Sequence, residues 1–178
     1  MSGNSVYGHI KRVLISEEEI KHKIAMAGEK ITAEYAGKPL LIVGMLKGAF
    51  IFMSDLCRAV KTPCEMDFMA VKSYQGDKST GNVEIVMDLK RDVSRYHVLI
   101  VEDIIDTGIT LKHVSGLLKS RNPLSLKIIT LLDKPERRKT DMIPDMALFT
   151  VPDLFVVGYG LDYDESFREL PYIAEYSA

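Results

Sequence analysis

The stretch "VLIVEDIIDTGITL", from Val98 to Leu111, contains the pattern that decides the fold. Its apolar first half predicts a buried strand, and a polar turn with a glycine and the start of a helix follow. Buried carboxylates without partners are unfavourable, because the charged form loses its water. The strand therefore either ends at the surface or meets a ligand that pairs with these charges. The polar residues at its end are Glu102, Asp103, Asp106, Thr107 and Thr110, with Gly108 between the two threonines.

Similar strand and helix patterns lie upstream of this stretch. The segment that begins at Ser16 predicts a helix, because Ser16 and Glu19 have the spacing of a capping box and apolar residues then recur on one face. Gly37 and Pro39 end that helix. The run "LLIVG" at 40–44 predicts a fully buried strand, and "AFIFMSDLCRAV" further on has the length and pattern of a helix.

The rest of the chain continues this alternation. Strands are predicted in "EMDFMAVKSY", "VEIVMDL", "HVLIVED", "LKIITLL" and "LFVVGYG", and a helix is predicted from Thr107 to about Arg121. Strands that alternate with helices favour an α/β fold: an open, mostly parallel, twisted sheet with right-handed crossovers and flanking helices. Ligands bind such sheets beyond the carboxyl ends of the strands. The strand ends to consider are Met45 to Gly48, Glu102 to Thr110, Asp133 and Lys134, and Gly158 to Asp164.

The composition excludes several classes of protein. The 178 residues are 47% hydrophobic, which predicts a single domain over residues 1–178 with a core of its own. The net charge of -2 argues against a general binder of nucleic acid or membrane surfaces, because such proteins need a basic face. The two cysteines, Cys57 and Cys64, form no CxxC motif and predict neither a disulfide framework nor a zinc site. No targeting or membrane-spanning run is present, which predicts a soluble cytoplasmic protein.

The turn after the central strand is a candidate phosphate site. Residues 107–110 lie between a strand and the first turn of a helix, where backbone N–H groups are unpaired and the helix dipole favours an anion. Two hydroxyls add donors, and Gly108 allows a ligand to approach the backbone closely. The alternative is that Asp106 or Thr107 simply caps the helix.

The acidic pair just before this turn suggests a second part of the same ligand. The acceptors of Glu102 and Asp103 suit a vicinal diol, such as two ribose hydroxyls, or a hydrated Mg²⁺. The alternative is that both carboxylates simply reach solvent. A diol site beside a phosphate site predicts a ribose phosphate ligand. The glycine fingerprint of dinucleotide-binding proteins and the P-loop motif are both missing, which argues against simple NAD binding or ATP hydrolysis.

These residues carry a resemblance to a known family. "VLIVEDIIDTGITL" resembles the 5-phosphoribosyl-1-diphosphate (PRPP) signature of the type I phosphoribosyltransferases, in its acidic pair, its spacer and its Asp-Thr-Gly-x-Thr order. Further stretches resemble the hypoxanthine-guanine phosphoribosyltransferase family, and the likeness covers most of the chain. They are "MLKGAF" at 45–50, "VKSYQGDKSTG" at 71–81, "LLDKPERR" at 131–138 and "DLFVVGYGLDYDESFRELPYI" at 153–173.

The resemblance implies a fold, an activity and a set of partners. The expected fold is the type I phosphoribosyltransferase sheet with a small hood formed from the chain ends. The expected activity is purine salvage: Mg²⁺-dependent transfer of the 5-phosphoribosyl group from PRPP to hypoxanthine or guanine, giving IMP or GMP and pyrophosphate. A homodimer or homotetramer is expected, with no membrane or nucleic-acid partner.

The resemblance also implies roles for the residues of the signature. Glu102 and Asp103 are expected to hold the ribose hydroxyls, directly or through Mg²⁺. Asp106 is expected to be the catalytic residue, which accepts or donates a proton near N7 of the purine and also belongs to the PRPP site. The turn that binds the 5'-phosphate is expected to consist of Thr107, Gly108, Ile109 and Thr110.

The base and pyrophosphate contacts are assigned by the same resemblance. Lys134 is expected to donate to the exocyclic O6 of the base, Phe155 to stack on its ring, and Val156 to offer backbone groups to its edge. Asp162 is expected beside the base, as a ligand of a second Mg²⁺ that carries the pyrophosphate. The remaining assignments are Lys47, Gly48 and Arg168 to the pyrophosphate, and Ser73 and Tyr74 to a loop that closes over the site.

Two alternatives remain open from the sequence. One is a PRPP-fold regulator that senses nucleotides and binds RNA or DNA, although no clustered run of Lys and Arg supports a basic face. The other is a phosphoribosyltransferase for another base, namely orotate, uracil, adenine or xanthine. Ile109 departs from the family pattern, since relatives often have a longer polar or basic side chain there, but its backbone N–H can still bind phosphate.

Overall fold

The computed structural model describes residues 9–73 and 83–177, with only the backbone described at Ser73. The order of elements in these ranges confirms the predicted alternation of strands and helices. The strands are β1 (Ile10–Ile15), β2 (Leu40–Leu46), β3 (Cys64–Ser73), β4 (Val83–Met87), β5 (His97–Ile105), β6 (Ser125–Asp133), β7 (Met146–Thr150), β8 (Val156–Val157) and β9 (Ile173–Tyr176). The helices are α1 (Glu17–Glu34), α2 (Phe50–Ala59) and α3 (Ile109–Ser120).

The main sheet has six strands in the order β4-β3-β2-β5-β6-β7. The pairs β2-β3, β2-β5, β5-β6 and β6-β7 are parallel, and only the edge strand β4 runs antiparallel to its neighbour. This topology confirms the predicted open, mostly parallel sheet.

The helices cover both faces of this sheet, and alternate residues of β2 show how. Leu40 and Ile42 belong to the hydrophobic cluster that contains residues of α1 and α2. Leu41 and Val43 belong to the cluster that contains the apolar face of α3. Successive side chains of a strand point to opposite faces, so a strand that is buried on both faces must be apolar at every position. The run "LLIV" meets this requirement.

Helix α1 begins with the predicted capping box. The Ser16 hydroxyl accepts a hydrogen bond from the Glu19 backbone N–H at 3.3 Å, and the Glu19 carboxylate accepts one from the Ser16 backbone N–H at 2.8 Å. The buried face of the helix then includes Ile20, Ile24 and Ile31. Within residues 9–73 and 83–177, every helix is too short or too polar to cross a bilayer.

A second, smaller sheet has the order β1-β9-β8 and is antiparallel throughout. It joins segments from the two ends of the chain and corresponds to the expected hood. Neither β1 nor β9 is predicted by the sequence, because neither contains a long apolar run and three of the six residues of β1 are exposed. Ile15, Val156 and Ile173 nevertheless connect this sheet to the cluster around α1 and α2.

Two predicted elements differ in the structure, and one further strand was not predicted. The strand predicted in "LFVVGYG" is reduced to Val156–Val157 and belongs to the small sheet, because Gly158 and Gly160 adopt φ values of +100° and +102° that an extended strand does not allow. Strand β7 was not predicted and lies at the edge of the main sheet. Helix α3 begins at Ile109 rather than at Thr107, since Gly108 precedes it with φ +78°.

Two helical glycines allow a matched test of the packing between α1 and α2. A Cβ on Gly28 would lie 2.6 Å from Ala59 Cβ and 2.8 Å from its backbone carbonyl carbon, whereas a Cβ on Gly116 would meet nothing within 4 Å. We expect Gly28→Ala to lower the free energy of unfolding by about 1–3 kcal/mol through overpacking. Gly116→Ala should raise it by about 0.5–1 kcal/mol, because alanine favours the helix. Urea denaturation of both variants measures these changes, and equal stabilisation by both would contradict a close α1–α2 contact.

Candidate active site

The candidate site lies where the connections of two neighbouring parallel strands diverge. Strands β2 and β5 are adjacent, and the chain leaves β2 for α2 on one face and β5 for α3 on the other. Divergent connections open a crevice beyond the carboxyl ends of such strands. Of the residues that were predicted for the ligand, Lys47 and Gly48 follow β2, Glu102 and Asp103 lie within β5, and residues 106–110 follow β5.

The loop after β2 packs tightly against the end of β5. A Cβ on Gly48 would overlap Asp103 Oδ2, and a Cβ on Gly160 would overlap the carbonyl oxygen of Gly48. Gly48 is therefore needed for the close approach of this loop to the Asp103 carboxylate. The peptide bond between Leu46 and Lys47 in the same loop is cis.

The acidic pair Glu102 and Asp103 lies within β5 and is partly buried. Glu102 Oε2 is buried and has no hydrogen-bond partner among the described residues. Burial, together with the neighbouring Asp103, raises the pKa of Glu102 well above its usual value. Burial also raises the pKa of Asp103 to about 6, although the Ile104 backbone N–H, which donates to its Oδ1 at 2.8 Å, and Arg168 both act in the opposite direction. Two desolvated carboxylates side by side favour a cation or hydroxyl donors as partners.

The turn after β5 leaves the start of helix α3 open. Gly108 is the N-cap residue and has no side chain to cap the helix. The Thr107 hydroxyl accepts only a long hydrogen bond of 3.4 Å from the Ile109 backbone N–H. The alternative that Asp106 caps the helix is therefore wrong. The N–H groups in the first turn of α3 have no partner within the helix and can meet an anion, and Ile109 is 40% exposed.

A segment after β6 supports this turn from outside. The Thr107 carbonyl accepts a hydrogen bond from the Lys139 backbone N–H at 2.9 Å. A Cβ on Gly108 would lie only 2.5 Å from Thr140 Oγ1 and 3.0 Å from Arg138 Cδ. The close approach and the positive φ both explain the glycine at this position.

A pocket of about 540 Å³ lies beside the acidic pair and the turn. It brings together several side chains that were predicted for the base site with carboxylates from the signature. A volume in this range suits a small ligand. The lining residues include Asp103, Asp106, Lys134, Phe155, Val156 and Asp162.

Lys134 is a buried cation in this pocket. It is only 7% exposed, and its Nζ donates a hydrogen bond of 2.5 Å to the carbonyl oxygen of Leu154. Burial lowers the pKa of Lys134, while Asp106 and Asp153 partly offset that effect. Its burial contrasts with the usual position of a lysine in a polar loop, and its ammonium lies within reach of a ligand in the pocket.

Phe155 presents an exposed ring at the pocket and is supported by other aromatic side chains. It is 53% exposed, and its ring lies edge-on to Tyr163 with centroids 5.8 Å apart. Tyr176 lies 5.9 Å from Phe155 and stacks on Tyr163 at 4.6 Å. The Tyr176 backbone N–H also donates to the Phe155 carbonyl at 2.9 Å. An open aromatic face on a fixed support can stack on a planar ring.

The residues predicted for pyrophosphate form one chain of ion pairs. Arg168 Nη2 lies 2.8 Å from Asp162 Oδ1 and 3.5 Å from Glu165 Oε2, and Lys47 Nζ lies 3.0 Å from the same Glu165 oxygen. Arg168 also donates to the Gly160 carbonyl at 2.7 Å. The structure thus brings Lys47 and Arg168 together through Glu165, and both lie near the loop that contains Gly48.

Two groups of predicted residues are not assembled in the described ranges. Ser73 ends β3 with an undescribed side chain, and Tyr74 lies outside the described residues. In the part of the chain that the structure describes, no group of three His, Cys, Asp or Glu side chains is arranged to hold a metal ion by itself. Asp162 lines the same pocket as Asp103 and forms an ion pair with Arg168.

Arg137 is a residue of the site that the sequence analysis missed. Its Nε donates to Asp106 Oδ1 at 2.8 Å, and its Nη1 lies 3.4 Å from Asp153 Oδ1. Leu161 also lines the pocket without having been predicted. Adjacent arginines in "DKPERRKTD" are typical of a solvated loop, and the only available signal was their place directly after a strand end.

Comparisons with known proteins agree with this geometry. A model of the phosphoribosyl transferase domain matches residues 9–164. The hypoxanthine phosphoribosyltransferase of Buchnera aphidicola subsp. Schizaphis graminum is 48% identical over 170 residues, which cover 94% of this chain and 96% of that protein. The hypoxanthine-guanine phosphoribosyltransferase of Staphylococcus aureus (strain Mu50) is 49% identical over 169 residues, covering 94% of each chain.

A solved structure extends the likeness to three dimensions. The crystal structure of a hypoxanthine phosphoribosyltransferase from Staphylococcus aureus superposes with a TM-score of 0.93 at 47% identity, covering 99% of this chain and 97% of that one. The chain therefore belongs to the phosphoribosyl transferase family and, within it, to the hypoxanthine-guanine phosphoribosyltransferases.

Proposed function

We propose that this protein is a purine salvage enzyme that transfers the 5-phosphoribosyl group from PRPP to hypoxanthine or guanine, giving IMP or GMP and pyrophosphate. The observation that supports this most directly is the desolvated pair Glu102 and Asp103 beside the uncapped start of α3, with the Lys134 pocket adjoining both. Names of relatives at 48–49% identity point to the same substrates. They give no support to a nucleic-acid-binding regulator or to an enzyme for another base.

The signature residues fit a ribose phosphate and a divalent cation. The N–H groups from Thr107 to Thr110 would bind the 5'-phosphate. Glu102 and Asp103 would hold the ribose hydroxyls and Mg²⁺, since the buried Glu102 Oε2 needs a partner and carboxylate oxygens suit this hard ion. Asp162 would contribute a further oxygen ligand. A bound Mg²⁺ would supply positive charge to the departing pyrophosphate.

The pocket fits a 6-oxopurine base. Lys134 would donate to O6, which is an acceptor that adenine lacks. Phe155 would stack on the ring, and the backbone of Val156 would face its edge. Asp106 would lie near N7, where the base loses a proton as it becomes glycosylated.

Electrostatic stabilisation would carry most of the catalysis. The bond from C1' to pyrophosphate breaks through a transition state in which positive charge develops on the ribose and negative charge on the leaving group. Lys47 and Arg168, with the backbone of Gly48, would bind the pyrophosphate side, and Glu165 would have to release Lys47 to a ligand. Ser73 and Tyr74 would belong to a loop that excludes water from the activated ribose.

The same proposal covers the rest of the molecule. Residues 1–178 would form a single phosphoribosyltransferase domain, located in the cytoplasm. The expected assembly is a homodimer or a homotetramer.

A direct assay tests the proposed activity. Purified protein with PRPP and Mg²⁺ should release pyrophosphate with hypoxanthine or guanine and should release little with uracil or adenine. EDTA should abolish the release and excess Mg²⁺ should restore it. No release with any 6-oxopurine would disprove the proposed function.

The role of Asp106 predicts a specific kinetic defect. Asp106→Asn removes the proton acceptor while keeping the size of the side chain, so kcat should fall about 100-fold. KM for PRPP should stay within about threefold, because the phosphate turn remains intact. Steady-state kinetics measure both constants, with Asp141→Asn, an exposed aspartate on the loop after β6, as the control. Equal activity of Asp106→Asn and the control would contradict the proton-transfer role.

The role of Lys134 predicts a defect in base binding. Loss of a charge-assisted hydrogen bond should raise KM for hypoxanthine about 10- to 100-fold in Lys134→Ala. Lys134→Met preserves most of the buried volume and should show the same defect, which separates the lost contact from a packing effect. Lys119→Ala, at an exposed lysine in the last turn of α3, is the control. Unchanged hypoxanthine affinity in both Lys134 variants would disprove the O6 contact.

A further inference from the structure

We propose that Arg137 is a positioning residue that fixes the Asp106 carboxylate for proton transfer from the purine, an inference that rests on the proposed function. Arg137 ends the short 3-10 turn Pro135–Arg137, which directly follows Lys134 at the end of β6. The lysine that would hold O6 and the arginine that holds Asp106 therefore lie on one continuous segment.

The geometry of the arginine suits this role. Arg137 Nε donates to Asp106 Oδ1 at 2.8 Å, and Nη1 of the same planar group lies 3.4 Å from Asp153 Oδ1. Asp106 follows β5, whereas Asp153 precedes β8 in the small sheet. A guanidinium held at two points has a fixed orientation, and it fixes the carboxylate to which it donates.

The contact leaves part of Asp106 available for chemistry. Among the described residues, the hydrogen bonds to its carboxylate engage Oδ1 and leave Oδ2 free. As the bond between purine N9 and C1' forms and the bond between C1' and the pyrophosphate oxygen breaks, the N7–H bond gives its proton to Oδ2. The electron pair of that bond remains in the purine ring, and pyrophosphate leaves with the electron pair of the broken C1'–O bond.

The ion pair contributes little to folding, which separates Arg137 from its neighbour Arg138. The side chains of Arg137, Asp106 and Asp153 are 45%, 40% and 50% exposed, and ion pairs at such exposure add little stability. The Arg138 side chain is only 13% exposed and donates to Asp133, to the Met142 carbonyl and to the Asp106 carbonyl. Arg138 thus supports the backbone of the loop, and Arg137 holds a side chain of the site.

A double-mutant cycle tests the inference on the full-length enzyme. Arg137→Met should lower kcat for hypoxanthine about tenfold, while KM for PRPP stays within about twofold. In an Asp106→Asn background, Arg137→Met should lower kcat by less than about twofold, because the group that it positions is already inactive. The melting temperature of the Arg137→Met single variant should fall by no more than about 4 °C, as expected for loss of an exposed ion pair.

Arg121→Met is the matched control, since it removes a comparable ion pair with Asp88 at the far end of α3. It should leave kcat unchanged in both backgrounds. If the wild type is active, either of two results would overturn the positioning role. One is that Arg137→Met lowers kcat equally in both backgrounds, and the other is that it lowers kcat in neither. A wild type that releases no pyrophosphate with any 6-oxopurine would overturn the proposed function, and this inference with it.

Discussion

The structure depends on the parallel pairing of β2 and β5 in the middle of the main sheet. Leu40, Leu41, Ile42 and Val43 are at most 1% exposed, so this part of the sheet is covered on both faces. Their burial is possible only because the connections from the two strands pass to opposite faces. The same divergence leaves the carboxyl ends of both strands uncovered, so the arrangement that completes the core also creates the crevice.

The ionisable side chains of the site have very different surroundings. Glu102 and Asp103 are desolvated with few partners, and burial raises both of their pKa values. Arg168 and Lys47, by contrast, already have carboxylate partners in Asp162 and Glu165. The acidic pair therefore favours a ligand that brings hydroxyls or a cation, whereas an anion on the other side must replace existing ion pairs.

Sequence patterns predicted the central parallel strands β2, β3, β5 and β6 because each contains an apolar run, and they predicted the helices because apolar residues recur on one face. They failed where an element is short or depends on distant contacts. Strand β8 is cut to Val156–Val157 by glycines with positive φ, and β9 is recognisable only through its pairing with β1 and β8.

The residues of the candidate site also differ in how far the sequence could predict them. Glu102 to Thr110 could be predicted because they are contiguous and have a distinctive order. The role expected of Lys134 came from the family resemblance alone. Arg137 could not be predicted, because its contact with Asp106 joins residues 31 positions apart. A loop with several basic residues contains no local signal of which one meets a carboxylate.

The small sheet has a consequence for the order of events during synthesis of the chain. Segments β1 and β9 are among the first and the last described parts to leave the ribosome, yet they pair with each other, and Tyr176 supports the Phe155 ring. The main sheet has all of its strands once residue 150 has emerged. The contacts of Tyr176 with Phe155 cannot form until residues 173–176 have followed, so a nascent chain can complete the turn at residues 107–110 before it completes the aromatic wall of the pocket.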